Sequence, residues 1–191
     1  MASRQPPEFG RLLAAVSREL TRRDVPHMLI GGQAVLLHGA PRLTEDIDVS
    51  LSIGPEEVAT VEAVCEAADL ESLVANPVEF ARETFVLPAR SQSSGIRVDF
   101  IFSNTDFERL AVDRAVGVRL SGETVPFASP EDLLLLKLFA GRARDIEDAR
   151  SVVDRQAPHL DWSYVERWAQ RFAEIPGRED LPKRLAELRS D

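Results

Sequence analysis

The sequence predicts an α+β fold, with strands and helices mixed to about residue 128 and helices alone from there to the end. Three observations carry this. Two segments, 47–53 and 96–102, alternate apolar and polar residues with the two-residue period of a half-buried strand. Helix-start signals fall between them and after them. Beyond residue 129, apolar residues recur every three or four positions, the period of a helix face. The 191 residues suit one domain, or one domain with a small appendage. The division expected is an α/β core over 1–128 and a helical C-terminal region over 129–191.

The elements follow in order. Phe9, Leu12, Leu13, Val16 and Leu20 make one face of a helix over 8–23, and Val25-Pro26 breaks it. His27-Met28-Leu29-Ile30 is a short buried strand running into the Gly31-Gly32 turn. A short helix over 33–38 stops at Gly39 and Pro41. In the next strand Ile47, Val49, Leu51 and Ile53 lie on one face, with Asp46, Asp48, Ser50 and Ser52 on the other. Gly54-Pro55-Glu56-Glu57 opens a helix to about Ala68, and Asn76-Pro77 caps another near 77–82. Thr84–Leu87 is a strand, as is Ile96–Phe102. Thr105-Asp106-Phe107-Glu108 is a capping box opening a helix to about Ala115. Val116–Leu120 and Thr124–Phe127 are short strands around Ser121-Gly122. Ser129-Pro130-Glu131-Asp132 starts the first of three helices, with Ser129 as cap. Neither an internal repeat nor a low-complexity segment is visible.

Composition narrows the function classes. The formal net charge is −9, from 23 Lys and Arg against 32 Asp and Glu. Such an acidic chain is a poor unspecific binder of nucleic acid, because that affinity comes mostly from cations on phosphates. It favours a cationic acceptor or partner. The single cysteine, Cys65, excludes an internal disulfide framework and fits a reducing, cytoplasmic setting. No run of apolar residues is long enough to span a membrane, and the first ten residues lack the apolar stretch of a signal peptide. One cysteine and three histidines offer neither a zinc set nor a convincing triad.

Three features could carry chemistry. In Asp46-Ile47-Asp48 both carboxylates project from the same strand face, where their repulsion calls for a cation, and Mg²⁺ favours one or two protein carboxylates plus substrate phosphates. The bland alternative is a solvated strand face. Asp99 sits among Val98, Phe100, Ile101 and Phe102, a poor place for an acid; it either joins Asp46 and Asp48 from a neighbouring strand or pairs with Arg97 or Arg90. Gly31-Gly32, between a strand and a helix start, lets backbone N–H groups approach a phosphate, or is simply a strand-to-helix turn.

Taken in order, Ile30-Gly31-Gly32, Asp46-Ile47-Asp48 and Asp99 resemble the signature of the polymerase-beta-like nucleotidyltransferase superfamily. The run Arg42-Leu43-Thr44-Glu45-Asp46-Ile47-Asp48, and Lys137 followed by Asp145 and Asp148, look like the AbiEii-like and minimal nucleotidyltransferases of bacteria and archaea. The resemblance spans roughly 25–152, and Gly32 stands where many members carry a serine. It implies a nucleotidyltransferase-type mixed sheet flanked by helices and a helical C-terminal part. It also implies that Asp46, Asp48 and Asp99 are catalytic and hold Mg²⁺ or Mn²⁺. Gly31, Gly32, Arg42, Thr44, Lys137, Arg144 and Asp145 would then serve the nucleotide.

Lys137 interrupts the apolar run 133–139, so it contacts the triphosphate or pairs internally with Asp145 or Glu131. Arg142 and Arg144 face phosphate or acceptor, or else solvent. The activity implied is transfer of a nucleoside monophosphate from an NTP to a hydroxyl on a tRNA 3′ end, a protein or a small molecule, the last including a cationic antibiotic. An antitoxin partner is implied by some members. The alternative is a catalytically inactive module of the same fold that binds a nucleotide or a partner protein.

Overall fold

Alternation along the two acid-bearing segments becomes two neighbouring strands of one sheet. The structure, a computed structural model, describes residues 7–103 and 105–190. The chain forms two units, Met1–Gln33 with Leu43–Ala128, and Ala34–Arg42 with Ser129–Asp191.

The first unit begins with α1 (Pro7–Arg22), which leads to β1 (His27–Leu29) and α2 (Gly31–His38); α2 starts in this unit and continues into the other. There follow β2 (Asp46–Leu51), a 3₁₀ turn at Pro55–Glu57, α3 (Val58–Ala67), β3 (Leu70–Ser72), α4 (Pro77–Thr84), β4 (Val86–Ser91) and β5 (Arg97–Phe102). Next come α5 (Asp106–Asp113), β6 (Val116–Leu120) and β7 (Glu123–Phe127). The strands form one seven-stranded mixed sheet in the order β3-β4-β5-β2-β1-β7-β6. β2 runs parallel to β5 and antiparallel to β1. The α+β mixed sheet expected from the residues is the fold observed.

Parity assigns the two faces. Ile47, Val49 and Leu51 of β2, Val98, Phe100 and Phe102 of β5, and Leu87 and Ala89 of β4 are all essentially inaccessible. Burying a side chain of the Phe or Leu class contributes about 1.5–3 kcal/mol, so this face fixes the register. A one-residue slip of β2 would expose three such side chains and bury two carboxylates. The other face therefore carries Asp46, Asp48, Arg97 and Asp99.

Several boundaries differ from the sequence reading. Helix α4 runs two residues further, to Thr84, and Phe85 takes a left-handed conformation (φ 58°) as its C-cap. The strand expected over 84–87 therefore starts at Val86 and passes through Pro88. Pro88 reads as a strand breaker, yet it is tolerated. The Phe85 carbonyl accepts from the Phe102 N–H and the Ser91 N–H donates to the Ile96 carbonyl, whereas the Pro88 carbonyl accepts from the Leu73 N–H, so Pro88 turns its nitrogen to the side of β3, which ends at Ser72. The missing donor thus falls at the fringe of a short edge strand. β3 itself was not expected; three residues are too few to show a period. β2 ends at Leu51 rather than Ile53, where Ser52 bonds back to Pro26. The capping box at Thr105 forms with both reciprocal bonds.

The second unit is helical: α6 (Pro130–Ala140), α7 (Ala143–Gln156), α8 (Trp162–Ala173) and α9 (Leu181–Ser190), together with the end of α2. Ser129 caps α6 by accepting from the Asp132 N–H, while its hydroxyl donates to the Asp132 carboxylate at 2.6 Å. Tyr164 donates to the same carboxylate at 2.6 Å, tying α8 to α6. Among the described residues, no helix is long and apolar enough to cross a membrane.

Candidate active site

The parallel pairing of β2 with β5 sets Asp46 opposite Arg97 and Asp48 opposite Asp99. Register partners in a parallel pair point to the same side of the sheet, about 4.8 Å apart. Three carboxylates and one guanidinium therefore share a patch two residues long on two strands. All four avoid full burial: Asp46 and Arg97 are exposed, Asp48 and Asp99 half-buried.

Each carboxylate has its own tether. The Thr44 hydroxyl donates to Asp46 Oδ1 at 3.0 Å and to the Asp46 carbonyl at 3.3 Å. Arg97 Nε donates to Asp99 Oδ1 at 2.9 Å and Oδ2 at 3.1 Å. Asp48 lies against Gly31: a Cβ built on Gly31 would stand 1.8 Å from Asp48 Oδ2 and 2.8 Å from its Cγ. Gly31 also has φ +60°, which L side chains rarely adopt. The Ile30 N–H donates to the Asp48 carbonyl at 3.0 Å, fastening the glycine turn beside the strand. Glycine at this position is thus required both by its own backbone and by the carboxylate on top of it.

Whether this donor set suits a divalent ion turns on Arg97. Its guanidinium is held charged more firmly than usual, first by the hydrogen bond and charge of Asp99, then by the charges of Asp46 and Asp48. One cation already sits within the field of all three acids, and all the oxygen donors are of the hard type that Mg²⁺ takes. Among the described residues, no three acidic, histidine or cysteine side chains stand close enough together to hold a metal as placed. The spread lies in the side chains: Asp99 bends to Arg97, Asp46 to Thr44 and Asp48 to Gly31. The backbone register sets Asp48 opposite Asp99 all the same.

The second unit contains the other residues singled out in the sequence. Lys137 is buried, with Nζ at 3.0 Å from Asp145 Oδ1 and 2.8 Å from Asp148 Oδ2. Arg42 grips Asp148 through Nε at 2.8 Å to Oδ1 and Nη2 at 3.0 Å to Oδ2. Burial pushes the Asp148 carboxyl up, but the hydrogen bonds and charges of Arg42 and Lys137 outweigh it and hold the group below the ordinary carboxylate value. Asp145 Oδ2, buried without a hydrogen bond, faces Arg142 Nε at 3.5 Å. Arg144 is exposed. The internal pairing that the sequence offered for Lys137 is thus present, with Asp148 as a second partner.

Over residues 11–180 the chain matches the family described as nucleotidyltransferase of unknown function (DUF6036). It belongs to that family. The nucleotidyltransferase superfamily and enzyme class suggested by Gly31-Gly32 and the three acids are those of the family that matches. No curated protein sequence matches the chain. Among solved structures, ANT(2″)-Ia in complex with adenylyl-2″-tobramycin is similar at 16% identity and a TM-score of 0.57, over 93% of this chain and 99% of that one. An antigenic nucleotidyltransferase-like protein from Paracoccidioides brasiliensis is similar at 16% identity and a TM-score of 0.56, over 92% of each chain. At these identities the likeness establishes a shared fold.

Arg97 is the residue whose place the sequence reading undervalued, treating it only as a rival explanation for Asp99. Its position two residues before Asp99 on the same strand face was the available signal.

Proposed function

We propose that this nucleotidyltransferase moves a nucleoside monophosphate from an NTP to a hydroxyl acceptor, with its chemistry centred on Asp46, Asp48 and Asp99. The observation that carries this reading is the register of β2 and β5, with Asp48 opposite Asp99 and its carboxylate against the Gly31 backbone. A purely structural face has no reason to gather three acids.

In this scheme Asp46 and Asp48 hold a divalent cation, Mg²⁺ or Mn²⁺, and Asp99 completes the set toward the acceptor. Bound there, the ion would neutralise triphosphate charge and favour ionisation of the attacking hydroxyl. The residues themselves orient and exclude. Thr44 fixes the Asp46 carboxylate, Gly31 leaves room for that of Asp48, and Gly31 and Gly32 present the start of α2 to a phosphate through backbone N–H groups, with no side chain in the way. Catalysis by such a site is mostly positioning and charge neutralisation.

For the acceptor, a small-molecule hydroxyl is favoured over a tRNA 3′ end or a protein side chain. The chain's excess of nine acids suits a cationic small molecule better than a polyanion. The bound product in the ANT(2″)-Ia structure, an adenylylated tobramycin, belongs to that protein and serves here as a guide to what to assay first. Lys137 and Arg42 of the second unit are both engaged on Asp148.

The test is transfer of label from each of the four α-labelled NTPs, with Mg²⁺, to aminoglycosides, to tRNA and to the protein itself. Asp48→Asn is expected to abolish the transfer while leaving the melting temperature within a few degrees. Metal-dependent NTP binding without transfer to any acceptor class would support the alternative of an inactive nucleotide-binding module. Full transfer by Asp48→Asn would sink the scheme.

A further inference from the structure

The acid patch already contains a cation. Arg97 Nε lies 2.9 Å from Asp99 Oδ1 and 3.1 Å from Oδ2, so it engages both oxygens of the carboxylate expected to complete the metal set. Its Cα pairs with that of Asp46, and Asp48 pairs with Asp99, so the guanidinium stems from within the patch itself. The Arg97 side chain is 48% exposed and that of Asp99 is 17% exposed. The arginine therefore stands on the solvent side of its partner and has room to leave. A pair with one partner this open to solvent is weak enough to be given up for a doubly charged ion.

We infer that Arg97 is a built-in competitor for the metal: it holds Asp99 until a divalent cation arrives, and must release that carboxylate before all three acids can act together. This rests on the reading of Asp46, Asp48 and Asp99 as a metal set. The physical logic is charge balance. Without a cation, the three acids on the two neighbouring strands would repel, and Arg97 relieves that repulsion. With a divalent ion in place, the guanidinium becomes a like charge beside it. Arg97 is thus a positioning residue that sets the affinity of the site and keeps its acids apart until they are needed. The field of Asp46 and Asp48 on Arg97, beyond that of Asp99, agrees with this placement.

The test is Mn²⁺ binding to the whole protein, read by electron paramagnetic resonance of free Mn²⁺, for wild type, Arg97→Gln, Arg97→Lys and Asp48→Asn. Arg97→Gln is expected to bind Mn²⁺ about fivefold more tightly, the most that loss of one exposed pair supplies on its own. Arg97→Lys keeps a charge and returns most of the wild-type affinity, while Asp48→Asn weakens binding strongly. In parallel, adding Mg²⁺ to ¹⁵N-labelled wild type should move the Arg97 Nε–Hε resonance toward that of a free arginine. Equal or weaker Mn²⁺ binding by Arg97→Gln, with wild type binding normally and the resonance unmoved, overturns the inference and leaves the metal set standing. Absence of Mn²⁺ binding from both wild type and Arg97→Gln overturns the metal set, and the inference with it. Binding by Arg97→Gln alone supports the inference in its strongest form.

Discussion

Replacing Gly31 with alanine separates what the glycine does for the backbone from what it does for Asp48. Two costs are written in the structure. The first is conformational: a residue with a Cβ at φ +60° loses roughly 1–2 kcal/mol. The second is steric, since the new Cβ would lie 1.8 Å from Asp48 Oδ2, 2.8 Å from Cγ and 3.1 Å from Cβ. A shift of the carboxylate tip alone cannot clear both Oδ2 and Cγ, so the side chain must rotate at its base and carry the carboxylate away from the patch, while the tighter contact with Cβ calls for a small backbone adjustment. Rotation to an unfavoured position costs about 0.5–1.5 kcal/mol more. Its effect on function is larger, because a misplacement of about 1 Å at a reacting centre lowers rates on the order of a hundredfold.

Gly95→Ala supplies the control. Gly95 has φ +72° with open space around its missing side chain, so it carries the conformational cost alone. Gly39→Ala supplies the opposite control: its Cβ would crowd Ser151 Oγ and Val152 within the second unit. Thermal melts and Mn²⁺ titrations of the three variants read the difference. All three should melt a few degrees lower, at about 2–4 °C per kcal/mol for a chain of this size. Only Gly31→Ala should also lose metal affinity and NTP-dependent transfer, by tenfold or more. Wild-type Mn²⁺ affinity in Gly31→Ala would mean that the Asp48 carboxylate is not used where it lies, and would overturn its role in the metal set.

Further outcomes follow from the ionic and buried groups. Lys137→Met leaves Asp145 and Asp148 buried without their shared cation and should destabilise the second unit by about 3–5 kcal/mol, read by urea unfolding. His27 is buried between the Val25 carbonyl and the Ser17 hydroxyl; burial holds its pKa below 6.5, so the unfolded chain takes up a proton first and stability should fall as pH drops below 6.5 toward the folded value. His27→Gln should flatten that part of the stability profile. Asp148 acts lower on the scale: with its folded pKa below 3.8, its contribution is present above that value and is lost as pH falls through the folded one. Cys65 is buried and its thiol is pushed up to about 12, first by burial and then by Glu62, so a thiol reagent should label it only at the rate of unfolding.

The sheet was legible where side-chain parity is strict. In β2 and β5 every second residue is a large apolar group, and both the strands and their acid faces could be read directly. The cap at Ser129 and the box at Thr105 were legible because they are local, each closed within four residues. The passage of β4 through Pro88 was not legible because a single sequence does not tell which side of a strand lacks a partner, and β3 was too short to have a period. At the candidate site the three acids were found one by one, yet their register, Asp48 against Asp99 and Asp46 against Arg97, is a tertiary fact. The same holds for Lys137: a lysine in an apolar run announces a buried charge, and Asp145 and Asp148 follow it on the next helix, but the Arg42 grip on Asp148 comes from 106 residues away.

If Asp46, Asp48 and Asp99 act as one cation-binding set, anomalous diffraction at the manganese edge locates the ion among them. Crystals grown with Mn²⁺ and a non-transferable NTP analogue should show an anomalous peak within coordination distance of Asp46 and Asp48, with Asp99 turned away from Arg97. A map with the analogue bound, no manganese at these carboxylates and the Arg97–Asp99 pair intact would contradict the shared set.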